Sequence, residues 1–127
     1  MNEKKIENIL SLDDKERYKY LIRKVTDFEE LWLIKNDVGK IQTNFSENQT
    51  ESIPIWPEKE FAELSFMVNR KSFVAESIDL YEFMKLCENL NEKGIQINVF
   101  PGQNLKSIKI NPLEFKKQLK AECEQYE

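Results

Sequence analysis

A chain of 127 residues with 40% hydrophobic and 33% charged side chains has the size and balance of one globular domain, able to bury roughly two thirds of its unfolded surface. A formal net charge of −4 offers no basic stripe for nucleic acid, and no apolar run approaches the ~20 residues that a membrane span requires. The chain contains no histidine, which removes the commonest general base, the Ser-His and Cys-His pairs, and most zinc hydrolase sites.

The opening "MNEKKIENIL" lacks the apolar region of a signal peptide, so the expected location is the cytoplasm. Ile6, Ile9 and Leu10 mark a short amphipathic piece. In "DDKERYKYLIRKV", Asp13 is a helix cap and Glu16 stands at the capping-box position, while Tyr18, Leu21, Ile22 and Val25 recur at helical spacing. "LWLIKNDVGKIQTNF" changes period: an apolar strand over 31–35, a turn at Asp37 to Gly39, then alternation through Ile41, Thr43 and Phe45, which predicts a β-hairpin. "SENQTES" has no apolar anchor and reads as a loop before Ile53 and Ile55.

Pro57 suits the first position of a helix running to about Phe66, and Pro54 is expected to limit pairing at the end of an edge strand. "SFVAESI" predicts a strand. In "IDLYEFMKLCENLNEKG", Asp79 caps a helix, Ile78 and Phe83 form a hydrophobic staple, and Gly94 ends it. "IQINVFPGQNLKSIKI" alternates on both sides of Pro101-Gly102, a second hairpin, and "NPLEF" opens a last helix with Asn111 as cap and Pro112 in the first position. The strand over 73–78, the helix after it and residues 95–100 have the order of a parallel crossover. The prediction is a single α+β domain: a largely antiparallel or mixed sheet of about five strands built from hairpins, helices mainly on one face, and helices at both termini.

Candidate chemistry is sparse. With three glycines the chain holds no phosphate loop or dinucleotide fingerprint, so no cofactor is expected. Cys87 and Cys123 are far apart, form no metal-binding spacing, and fall on the apolar stripes of their helices, where they read as core residues. Residues 27 to 66 carry nine acidic side chains against three basic ones, which would attract a basic protein partner or simply solvate a surface. Trp32, mid-strand, is either buried by a sheet covered on both faces or left on the open one. Trp56 either wedges a helix start against the sheet or anchors an interface.

The segments "ERYKYLIRKVTDFEELWLI", "DVGK", "IPIWPEKEFAE" and the hairpin from Gly94 to Pro112 resemble the bacterial family called domain of unknown function 2750, in the same order over nearly the whole chain. Arg17-Tyr18, Trp32, Gly39, Pro54 to Pro57 and Ala62 carry that resemblance most specifically. A weaker similarity links "IPIWPEKEFAEL" and the region through "INPLEF" to the enhanced serine sensitivity family, although "INVFPG" departs from its turn. The first resemblance implies a small bacterial cytoplasmic α+β domain and carries over no catalytic residue.

The expected function is a noncatalytic protein-binding domain, immunity-like or regulatory, that uses Trp32, Trp56, Glu29, Glu30, Asp37 and Glu58 against a protein partner, basic in character. It binds neither nucleic acid nor membrane in this reading, and it is a monomer or weak homo-oligomer. The alternative is a carboxylate-based enzyme or small-ligand binder with a pocket at the sheet end. No residue is assigned as catalytic, cofactor-binding or metal-ligating.

Overall fold

Most helices of this protein start where a short polar side chain accepts a backbone N–H that the helix itself leaves unpaired. The computed structural model describes residues 2–46, 48–64, 72–102 and 107–125. Helix α1 (Glu3–Leu10) begins at Asn2, which accepts from Lys5 N–H at 2.8 Å, and α2 (Asp14–Phe28) begins at Asp13, which accepts from Glu16 N–H at 2.8 Å. The short α3 (Lys59–Glu63) follows Glu58, whose side chain makes no capping bond. Helix α4 (Leu80–Glu92) is capped by Asp79, and α5 (Pro112–Glu124) by Asn111, with Pro112 in the first position. Such caps stabilise a helix by ~1 kcal/mol each. Gly94, at φ +72°, ends α4: its N–H reaches Asn91 C=O, and Ile95 N–H reaches Leu90 C=O. That pair of bonds is a Schellman motif.

Among the described residues six strands, β1 (Glu30–Lys35), β2 (Asn44–Phe45), β3 (Glu51–Ile55), β4 (Val74–Asp79), β5 (Gln96–Val99) and β6 (Ile108–Ile110), form two small sheets. One is β1-β4, antiparallel, with Leu31 opposite Ile78 and Leu33 opposite Glu76. The other has the order β2-β3-β5-β6, in which β3 and β5 are parallel and both outer pairs antiparallel. A bridge joins the sheets: Trp32 N–H donates to Trp56 C=O at 2.8 Å, and Trp56 N–H to Trp32 C=O at 2.9 Å.

Several expectations are corrected here. The first hairpin is short, limited to Lys35 opposite Ile41 and a Gln42 N–H bond to Ile34 C=O; Asn44 and Phe45 then pair with β3, and β1 finds its long partner in β4. The parallel pair is β3 with β5, so β4, α4 and β5 do not make the expected crossover. Pro54 lies inside an internal strand. Backbone groups alternate in direction along a strand, so Ser52 faces β2, Trp56 faces β1, and Pro54 faces the gap where one neighbour gives way to the other. A residue without an N–H costs nothing there. Pro57 stands before the cap Glu58 rather than in the first helical turn, and α3 is five residues long; its expected end at Phe66 lies outside the described residues.

The core is one continuous cluster of buried apolar side chains contributed by every helix and by β1, β3 and β5. Tyr18 of α2 and Phe83 of α4 meet Phe115 of α5 edge-on, at centroid distances of 6.3 and 6.1 Å. Phe100, at φ +47°, packs against Phe61 at 4.9 Å and Tyr20 at 6.0 Å; Arg17 Nε donates to its carbonyl at 3.1 Å. Those contacts account for a non-glycine residue in a left-handed conformation at the end of β5.

Candidate functional site

The turn that ends α2 and the turn that starts α4 are separated by fifty residues of sequence and are tied together in space. Leu80 N–H donates to Glu29 C=O at 2.9 Å, and Glu30 lies directly opposite Asp79 across the β1-β4 pair. This end of the small sheet therefore gathers Glu29, Glu30 and Asp79. On the adjoining turns Phe28 is 59% exposed and Tyr81 50% exposed. Lys24 Nζ lies 5.4 Å from the Phe28 ring centre, a cation–π contact that places one positive charge beside that ring.

Two features of this end run against folding stability. Glu29 occupies the left-handed conformation, φ 57° and ψ 30°, that closes α2. Glycine adopts it freely, whereas a residue with a Cβ is strained by roughly 1 kcal/mol. Glu30 and Asp79 are like charges at directly opposed positions, a pairing that destabilises a sheet by a further few tenths of a kcal/mol.

The other expected partner residues scatter. Trp56 is 1% exposed, and its Nε1 donates to Pro101 C=O at 3.2 Å, so of its two readings the structure places it in the core. Trp32 is half-buried on the same sheet face, because directly opposed residues share a face. Asp37 is exposed in the turn after β1, where Asn36 Oδ1 accepts from Val38 and Lys40 N–H. Glu58 is half-buried and accepts the Tyr20 hydroxyl, which explains why it caps no helix. The acidic segment thus contributes Glu29 and Glu30 to one end and spends Glu58 on an internal contact. Asp79, Phe28 and Tyr81 join the site without having been singled out as site residues. Tyr81 carried a sequence signal, an aromatic off the apolar stripe of α4; Phe28 continues the stripe of α2 and is exposed only because the helix ends there.

Titratable groups elsewhere fit packing roles. Burial pushes the Cys87 thiol up to about 11, against a smaller opposing pull from Lys116, and Cys123 is half-buried rather than enclosed. Burial, with help from the Glu114 charge, pushes Tyr18 up to about 12. Burial likewise raises Tyr20, and its hydrogen bond to Glu58 adds to the shift. A groove of about 270 Å³ runs between α2 and α5, lined among others by Tyr18, Arg23, Gln118 and Glu122; the Tyr18 hydroxyl bonds Gln118 there. Among the described residues no three Cys, Asp or Glu converge as metal ligands, and no helix is long and apolar enough to cross a membrane.

Neither the curated proteins nor the solved structures contain a match to this chain, and the weaker similarity to the enhanced serine sensitivity family rests on the quoted residues alone. The profile described as "Protein of unknown function (DUF2750)" matches residues 18–119, from the first turns of α2 to the buried Leu119 of α5. The match takes in both sheets, the tethered turns and most of the core, and on that ground the chain belongs to the DUF2750 family.

Proposed function

We propose that this protein is a noncatalytic binding domain whose acidic end, formed by Glu29, Glu30 and Asp79 between Phe28 and Tyr81, receives a basic region of a protein partner. The observation that carries this reading is the conformation of Glu29: a carboxylate stands where folding would be served better by glycine, beside a second carboxylate opposed to a third. A requirement for negative charge at this surface accounts for Glu29 and Glu30, Asp79 being needed in any case to cap α4. Exposed aromatic rings flanking the charges supply the apolar area that anchors most interfaces. Blocking a basic toxin is one concrete role of this kind. The rival, a carboxylate enzyme, needs acids converging in a concavity, and Glu122 is the one carboxylate lining the α2-α5 groove.

Crosslinked pull-down from the source cells tests the proposal. The wild-type chain should recover a stoichiometric protein partner with a basic contact surface, and Glu29→Lys combined with Glu30→Lys should lose it. Recovery of nothing stoichiometric, or equal recovery by the charge-reversed variant, would sink the reading.

A further inference from the structure

Strand β4 terminates the β1-β4 sheet, and among the described residues nothing pairs with its outer side. The direction of its backbone groups follows from β1. Trp32 exchanges both main-chain bonds with Trp56, and Ile34 C=O accepts from Gln42, so these residues of β1 face away from β4. Their opposite numbers, Ser77 and Ala75, must then turn their own N–H and C=O groups outward. Ser77 is exposed and Ala75 half-buried, and neither side chain is large enough to screen the rim.

Sheet edges in soluble proteins are usually blunted by proline, lysine, a bulge or an inward charge. Here "VAESID" holds no proline or lysine, and the register with β1 runs unbroken from Glu30 opposite Asp79 to Lys35 opposite Val74. The charged side chain midway along it, Glu76, forms an ion pair with Lys35 at 3.7 Å. Among the described residues the edge is therefore open, straight in register and narrow in side chains. It also ends at the acidic cluster.

We propose that the outer edge of β4 accepts an extended basic segment of a partner protein as an added strand, with main-chain bonds to Ala75 and Ser77 and cationic side chains on the face of Asp79 and Glu30. The assignment rests on the reading of the acidic end as a partner surface and supplies its binding mode. Charge and pleat select the occupant: alternating cationic and β-branched residues set every cation on the sheet face that carries Asp79 and Glu30.

The test uses the full chain and a short synthetic peptide alternating lysine and valine, with two controls: the glutamate-valine counterpart, and a lysine-valine peptide N-methylated along one edge. The lysine-valine peptide should bind and slow hydrogen exchange at the Ala75 and Ser77 amides. Both controls should bind at least ~10-fold more weakly. Ser77→Pro, which removes an outward N–H and no β1-β4 bond, should weaken binding to a similar degree; the methylated peptide asks the same question of the unaltered protein. If the methylated peptide binds equally well and the two amides exchange as before, strand addition is overturned while the acidic surface stands. No binding of the lysine-valine peptide overturns strand addition as well, leaving the pull-down to judge the surface. Light scattering that shows a dimer abolished by Ser77→Pro would instead make a second copy the occupant and refute the basic-segment assignment.

Discussion

Replacing Trp56 by phenylalanine separates a core role from an interface role, because the indole has both a buried surface and a single polar bond. Its ring is 1% exposed, and its Nε1 is the donor to Pro101 C=O. Phenylalanine removes that donor and leaves the carbonyl without this partner, at a cost of ~1–3 kcal/mol. The smaller ring adds about 1 kcal/mol for the space left in the core. The sum is of order 2–4 kcal/mol, a large part of the ~5–15 kcal/mol by which a domain is stable. Unfolding entropy of about 2.1 cal/mol/K per residue makes 1 kcal/mol equivalent to roughly 4 °C for 127 residues. Trp56→Phe should therefore lower Tm by about 8–15 °C. Urea denaturation followed by far-UV circular dichroism measures the free energy without relying on tryptophan emission. Trp32→Phe, at a half-buried position whose side chain makes no hydrogen bond among the described residues, is the reference and should cost well under half as much. If Trp56→Phe left the urea midpoint within error of the wild type, the buried assignment and the role of the Pro101 contact would both be wrong.

Glu29→Gly should raise stability by ~0.5–1 kcal/mol, read as a higher denaturant midpoint at unchanged slope, because it removes left-handed strain; a fall would show that the carboxylate itself supports the fold. Glu30→Gln should stabilise by ~0.2–1 kcal/mol at low salt and by less at high salt, since it relieves opposition to Asp79; no salt dependence would contradict that origin. The Cys87 thiol ionises at about 11 when folded against 9.0 ordinarily, so between those values the unfolded chain sheds its proton first, and stability falls as pH rises through that window while remaining whole below it. The stability difference between wild type and Cys87→Ala should accordingly narrow across that window, and parallel curves would refute it.

Local signals in this sequence were legible because their causes are local. Asp13, Asp79 and Asn111 cap helices wherever the rest of the chain goes, and Gly94 ends α4 because few other residues tolerate its φ. The alternation on both sides of Pro101-Gly102 likewise announces the antiparallel β5-β6 pair. Strand partners were not legible: the choice of β4 over residues 41–45 as the neighbour of β1 is made by core packing among residues far apart in the chain. The same limit applied to the candidate site. Glu29 and Glu30 stood out by composition, but Asp79 read only as a cap, and its meeting with them depends on that pairing. Trp56 and its prolines looked exceptional for a reason that proved to be architectural, a seam between sheets with no ladder donor needed at Pro54.

The interleaving of the long-range pairs has a consequence for how the molecule can be divided. In chain order β1 joins β4, and β3 joins β5, so the two arcs cross. A cut between α3 and β4 leaves each fragment with one member of both pairs, retaining β2-β3 with the short bridges from Trp32 to Trp56 and Lys35 to Ile41 on one side and β5-β6 on the other. Sheet remnants of that size are marginal in water. Neither half is a folding unit, and a nicked chain would hold its shape only while both pieces stayed together, each completing the sheets of the other.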